Sequence, residues 1–300
     1  MENQPRIIRS MAFAPAHDPE AILAAAASGV DAVGPDLEDL TPGKEKQRAR
    51  TLFRELAREL ARRGTIVTAR TNALGKGCEE DLDAIVCPEL HYVNIPKAES
   101  GDQVREFCRL LAQAEERHGL PVGYTLVRPV IETARGILNA YEIATASDRV
   151  TYMGGVAGSF WGDLGSTLGS MYGPDGMDSY YIRAKVVVDV RAAGRRFPIG
   201  GGSISTRDPV AWRDFCWQTR RLGYTGHYTP AVRSLVDIVH EVYTPTAEEV
   251  TRWREIVAVL EEAQRDDQVV VMVGDNIYDT AGLQRVRDLL ELAERVGIRG

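Results

Sequence analysis

The sequence predicts an α/β protein: a (β/α)8 TIM barrel over residues 1–243, followed by a C-terminal helical arm over residues 244–300. Three observations carry this reading. Short apolar segments alternate with amphipathic helical stretches eight times over about 240 residues, the count and length of such a barrel rather than of a doubly wound sheet. Neither a GxGxxG turn after an early strand nor a GxxxxGKS/T loop is present, which removes the usual nucleotide-binding alternatives. The alternation then stops at Thr244-Pro245-Thr246.

The elements follow in order. Ile7 to Phe13 is the first predicted strand, ending at Pro15. Asp18 caps the next helix, Pro19 takes its first position, and Gly29 stops it. Asp31 to Pro35 is the second strand and closes on Asp36-Leu37-Glu38-Asp39, after which Lys44 to Arg63 reads as a long helix. Thr65 to Ala69 is the third strand, ending in Arg70-Thr71-Asn72, with a helix over Glu79 to Val86. Tyr92 to Ile95 is the fourth, ending in Pro96-Lys97-Ala98-Glu99, with a helix over Asp102 to His118. The fifth strand is the most informative: Leu126 to Ile131 runs straight into Glu132, and a helix covers Arg135 to Ala146. Val150 to Met153 is the sixth, followed by a Gly-rich loop to Asp163 and a helix over Asp178 to Ala193. Phe197 to Ile199 and Gly223 to Pro230 are the seventh and eighth, with helices over Pro209 to Leu222 and Val232 to Val242. The arm reads as a helix (Ala247 to Arg265), a strand (Val269 to Val273), a loop (Gly274 to Asp279) and a last helix. Such arms often pack on a neighbouring subunit.

Composition narrows the function classes. A formal net charge of -7 argues against nucleic acid, which favours a basic face. No apolar run approaches the roughly 18 residues of a membrane span, and Met1 to Ser10 lacks a signal-peptide core. Cys78, Cys87, Cys108 and Cys216 are scattered, with no CxxC or Cys/His cluster. Zinc is therefore not expected, and the reducing cytoplasm is the expected compartment.

In a parallel barrel the strand ends share one mouth, and ligands bind there. The polar groups expected to converge are Arg9, Asp36, Glu38, Asp39, Arg70, Lys97, Glu99, Glu132 and Asp163. A carboxylate at the end of a buried strand must face water, a cation or a metal, which makes Glu132 the hardest to explain structurally. Two oxygen ligands from separate strands, completed by water and substrate oxygens, suit Mg²⁺ (or Mn²⁺), and Glu132 with Asp163 is the best pair. Arg70 offers a fixed fork for a carboxylate or carbonyl, or it pairs only with Asp36 or Glu38. Asp36, Glu38 and Asp39 fit a direct role or a capping and ion-pair cluster; Lys97 fits an ion pair with Glu99; Asp163 fits the start of a helix. None of the five histidines is expected to act as a base.

At these residues the chain resembles the HpcH/HpaI aldolase and citrate lyase β-subunit (CitE-like) superfamily, of the malyl-CoA and citramalyl-CoA lyase type. The matching pieces are Arg9 to Pro15, Asp36-Leu37-Glu38-Asp39, Arg70-Thr71-Asn72, Ile95 to Ser100, Ile131 to Gly136, Gly162 to Gly169 and Glu241 to Thr246. They span nearly the whole chain in order. The resemblance implies a TIM barrel in trimers or hexamers. It also implies Mg²⁺ on Glu132 and Asp163, Arg70 at the substrate, and an Asp from the neighbouring subunit's arm, which Asp279 resembles. The expected catalytic groups are then Arg70, Asp279, Asp36 and Glu38, with Arg9, Pro15, Arg70 and Lys97 lining the substrate. The implied reaction is a metal-dependent carbon–carbon cleavage or condensation of a β-hydroxyacyl-CoA through an enolate, with release of glyoxylate or pyruvate. Two departures keep other readings open. Phe160-Trp161-Gly162-Asp163 stands in place of the family's Gly-Ala-Glu-Asp in a longer loop, and an alternative alignment puts Ser159 at the metal position. Tyr228-Thr229-Pro230 replaces an Ile-His-Pro of the acyl-CoA pocket, and Gly200 to Ser203 replaces a loop that usually carries an acidic or aromatic residue. An aldolase on a free hydroxy-keto acid and a non-catalytic accessory subunit are the alternatives.

Overall fold

The computed structural model describes residues 4–154, 163–169, 173, 175–201 and 207–298. The chain divides into two compact units, Met1–Val242 and Tyr243–Gly300. The first unit runs β1 (Ser10–Pro15), α1 (Pro19–Ala27), β2 (Ala32–Asp36), α2 (Lys46–Arg62), β3 (Ile66–Arg70), α3 (Cys78–Ile85), β4 (Leu90–Ile95), α4 (Gly101–Arg117) and β5 (Leu126–Pro129). It continues through α5 (Ala134–Leu138), α6 (Ala140–Thr145), α7 (Asp163–Leu168), α8 (Tyr180–Ala192), β6 (Ile199–Gly200), α9 (Pro209–Leu222), β7 (Gly226–Tyr228) and α10 (Arg233–Tyr243).

The seven strands form one curled sheet in the order β5-β4-β3-β2-β1-β7-β6, parallel throughout. This is a TIM-barrel-like α/β fold. Two cores follow from strand alternation. Val33, Val67, Val93 and Val127 point outward into the main core beneath the helices. The alternate positions Ala32, Tyr92 and Leu126 face the concave side with Ile8, Met11, Tyr152 and Ile199. That parity sets the site, because Asp36, Arg70, Asn94 and Arg128 share it and are register partners across four adjacent strands.

Helix starts follow local chemistry. Asp18 accepts the Ala21 N–H at 3.1 Å with Pro19 behind it, Ser100 accepts the Gln103 N–H at 3.3 Å, and Asp208 caps α9 ahead of Pro209.

Three predicted elements differ from the structure. The first strand begins at Ser10, not Ile7. The sixth predicted strand is reduced to two parallel bridges, Val127↔Val150 and Val130↔Gly154. Tyr152 between them has φ +55, which breaks a regular ladder. The segment still bonds on both sides: Thr151 N–H donates to Val127 O at 2.9 Å, and Ile199 N–H donates to Tyr152 O at 3.3 Å. The predicted helix over 135–146 is broken at Asn139, whose amide donates to Glu99 O at 2.8 Å.

The second unit contains α11 (Ala247–Arg265), β8 (Val270–Val273), β9 (Asn276–Asp279) and α12 (Leu283–Arg295). Thr246 and Glu249 form a reciprocal capping box at the start of α11. The segment read as a loop over 274–279 is instead the second strand of an antiparallel hairpin, because Gly274 takes φ +57 and turns the chain. Among the described residues no helix is long and apolar enough to cross a membrane.

Candidate active site

The C-terminal ends of β2 to β5 bring Asp36, Glu38, Arg70, Lys97 and Glu132 together. Asp36 ends β2 and is fully buried. Its oxygens accept the Glu38 N–H at 2.9 Å and the Leu40 N–H at 3.0 Å, so it folds its own loop. Both oxygens also accept from Arg70, Nε at 2.8 Å and Nη2 at 2.5 Å. The third guanidinium nitrogen, Nη1, lies 3.1 Å from Glu38 Oε2. The face of Arg70 stacks on Phe13, with 4.8 Å from Cζ to the ring centroid.

Lys97 joins two acids. Its Nζ donates to Glu38 Oε1 at 2.9 Å, and its main-chain N–H donates to Glu132 Oε1 at 2.9 Å. It achieves this with φ +47, a left-handed conformation that a non-glycine residue adopts at a cost. The Lys97 amine also lies 3.6 Å from Asp39. Pro15 pairs in register with Asp36 at the same end of the sheet.

Burial raises the pKa of Glu132; Arg70 opposes this and the nearby Glu38 charge reinforces it. Burial likewise raises that of Glu38, against the pull of Arg70 and Lys97. For Arg70, burial would lower the value, but its bonds to Asp36 and the surrounding acids hold it above the usual range. The cluster therefore concentrates negative charge that water solvates poorly, and a bound cation would offset it.

Among the described residues, no set of three or more His, Cys, Asp or Glu side chains converges as a ready cation cage. Glu132 fits one side of a Mg²⁺ site: it is a hard oxygen donor, nearly buried, with an ionised form disfavoured by burial. Asp163, the second expected ligand, begins α7, and its side chain lies outside the described residues. The alternative ligand Ser159, the loop residues Phe160 to Gly162, and Gly202 and Ser203 also lie outside them.

Arg9 does not join this cluster. Because β1 starts at Ser10, Arg9 lies at the opposite end of the strand. There it pairs with Asp31, Nε at 3.0 Å and Nη2 at 2.8 Å. Asp279 ends β9 in the second unit, where its carboxylate accepts the Ala281 N–H at 2.8 Å.

Two contributors, Arg128 and Phe13, are absent from the residues predicted for the site. Arg128 lies on the concave face, 2% exposed, near the end of the strand that leads to Glu132. A charged residue inside an apolar strand was the available signal. Phe13 and Tyr228 form an aromatic pair at the strand ends, with centroids 5.5 Å apart. Phe13 carried no chemical signature in the sequence, whereas Tyr228 already stood out at the altered acyl-CoA motif.

Known proteins share the sequence pattern and the fold of this chain. Residues 9–229 match the family described as HpcH/HpaI aldolase/citrate lyase. The chain is similar to the citrate lyase subunit beta-like protein of Deinococcus radiodurans, 31% identical over 97% of this chain and 99% of that protein. It is 29% identical to citrate lyase subunit beta of Leuconostoc mesenteroides subsp. cremoris, over 97% of this chain and 95% of that one. It is 28% identical to a (3S)-malyl-CoA thioesterase of Cereibacter sphaeroides, over 99% and 98%. Among solved structures, CitE of Mycobacterium tuberculosis in complex with magnesium, acetoacetate and coenzyme A matches with TM-score 0.71, 24% identity and coverage of 96% and 98%. The same protein in complex with magnesium and pyruvate matches with TM-score 0.62, 26% identity and coverage of 80% and 91%.

Proposed function

The chain belongs to the HpcH/HpaI aldolase/citrate lyase family, an enzyme family of carbon–carbon lyases, and from that premise we propose a specific reaction for it. The protein is a Mg²⁺-dependent lyase that cleaves, or in reverse forms, a β-hydroxyacyl-CoA of the malyl-CoA or citramalyl-CoA type. The products are an acyl-CoA and a 2-keto acid such as glyoxylate or pyruvate. The observation that carries the reading is the buried cluster of Glu132, Glu38, Asp36, Arg70 and Lys97 at the strand ends.

Glu132 and Asp163 hold the metal, which when bound supplies Lewis-acid polarisation of a carbonyl oxygen. Arg70 is locked by Asp36 and Glu38 with its face on Phe13, so its charge is fixed in place before substrate arrives. The edge of the Lys97 loop orients Glu132 through a main-chain N–H.

The fold is a complete (β/α)8 barrel in this reading, with residues 150–154 as its remaining strand between β5 and β6. Residues 244–300 are an arm that packs on a neighbouring subunit of a trimer or hexamer. The hairpin supports this. Val271, Val273 and Tyr278 pack on α11 and α12, whereas Val270, Met272 and Ile277 on the other face are exposed. Asp279 is the cross-strand partner of Val270 and so lies on that same exposed face. A neighbour that covers the apolar patch would receive Asp279, which then acts as acid or base in trans.

One observation favours a second reading, an aldolase on a free keto acid. Tyr228, where the family carries the start of its acyl-CoA motif, packs against Phe13 at the mouth. Calorimetric titration separates the two. Metal-stripped protein should take up Mg²⁺, then pyruvate, glyoxylate or oxaloacetate, and then acetyl-CoA or propionyl-CoA. Keto-acid binding with no response to acyl-CoA selects the free-acid aldolase. No binding of metal or keto acid rejects both.

A further inference from the structure

We propose that Arg128 is an anion-binding residue of this site, holding the carboxylate of a 2-oxo acid from the concave face of the sheet. The proposal rests on the lyase reading above and assigns its substrate charge to a particular side chain. Asp36, Arg70, Asn94 and Arg128 occupy successive register positions on β2, β3, β4 and β5. Arg128 is therefore one strand beyond the row's neutral member, and the nearby Glu132 charge bears on it. Its side chain is 2% exposed. Nε donates to the Tyr152 carbonyl at 3.1 Å and Nη1 to Asn94 Oδ1 at 3.0 Å. Both acceptors are neutral.

Asn94 is itself held in one orientation, since its amide donates to Thr68 Oγ1 and to the Ala69 carbonyl, each at 2.8 Å. Its oxygen is thereby turned to Arg128 and fixes the guanidinium plane. These bonds satisfy N–H groups but do not neutralise the charge. A buried cation without a bonded counter-ion is costly, and a neutral amide would serve the Tyr152 carbonyl as well. Asp36 and Glu38 are already bonded to Arg70 and Lys97, and Glu132, the acid whose charge bears on Arg128, accepts the Lys97 N–H and is the expected metal ligand. Among the described residues no carboxylate is bonded to Arg128, and that partner is supplied by an anionic ligand that enters beside Glu132. Burial works against the Arg128 charge, with Tyr92 and Glu132 offsetting it only in part.

The test is calorimetric titration of pyruvate and of its uncharged ester, methyl pyruvate, in MgCl2. Arg128→Gln should weaken pyruvate by roughly tenfold or more, the worth of a charge-assisted hydrogen bond, and methyl pyruvate by less than about twofold. Arg128→Lys should retain most of the preference for pyruvate. Pyruvate binding by Arg128→Gln equal to that of the wild type overturns the proposal, as does an equal loss of both ligands; either result leaves the lyase reading intact. A wild-type protein that binds neither ligand overturns both. Arg128→Met, which keeps the length without the charge, carries the same comparison if the Gln variant does not fold.

Discussion

The two ends of the strands balance their charge to different degrees. At the N-terminal ends each buried charge meets a direct partner. Glu115 accepts both Arg149 nitrogens at 2.8 Å, together with the Thr125 and Gly123 N–H groups. Asp31 takes Arg9 and stands 3.4 Å from His240, whose ring meets Ser10 Oγ at 2.7 Å. His91 meets Tyr152 Oη at 2.8 Å. At the C-terminal ends, burial instead pushes Glu38 and Glu132 away from their ionised forms, and among the described residues Arg128 is bonded only to neutral oxygens. One set of strands thus carries a saturated end that holds the fold and a strained end open to ligand, the division of labour expected of such barrels.

The sharpest way to break this comparison is to delete a charge at each end. Glu132→Ala should lower turnover by about a thousandfold, the scale of a lost metal contact, and leave the melting temperature nearly unchanged. Turnover that survives removes Glu132 from the chemistry. Mixed oligomers of Glu132→Ala and Asp279→Ala subunits should regain activity, and none regained in proven mixtures would sink the trans role of Asp279. Glu115→Ala should do the reverse. It strands Arg149 in the interior and should cost about 3–5 kcal/mol of stability in urea unfolding, with the specific activity of the folded fraction retained.

The smallest effect concerns pH. Burial, aided by Arg6, pushes His91 down to about 3. Its folded value therefore lies below its unfolded value, and the unfolded chain takes up a proton first as pH falls. The stability it contributes is fully present above about 6.5 and is lost progressively on acidification toward the folded value. Replacing His91 by Gln should flatten the stability slope between pH 5 and 6.5 by about 1 kcal/mol per pH unit. An unchanged slope would show that this end is not the acid-sensitive one.

The site was partly legible in the sequence because strand ends are marked by abrupt changes from apolar to charged residues. Ile131-Glu132, Pro35-Asp36 and Ala69-Arg70 all read that way. Arg9 misled for the same reason: Ile7 and Ile8 precede it, so a strand beginning at Ile7 was the natural expectation, yet pairing starts at Ser10. Arg128 was hidden because Leu126 and Val127 are both apolar, which erases the alternation that would reveal its face. Asp81 and Glu115 lie in helices whose other acids are solvated, and only the structure shows them fully buried. The sixth strand failed as a regular element because a single left-handed residue, Tyr152, cannot be read from composition.

Lys97 sets backbone strain against the coupling of two acids. A glycine at this position would relax the φ +47 backbone by about 1 kcal/mol and keep the amide that faces Glu132. It would also release Glu38, whose oxygen the lysine amine holds. A drift toward greater stability at this position therefore uncouples two acids in one step. The backbone at position 97 is thus best served by glycine, and the tie between Glu38 and Glu132 by lysine.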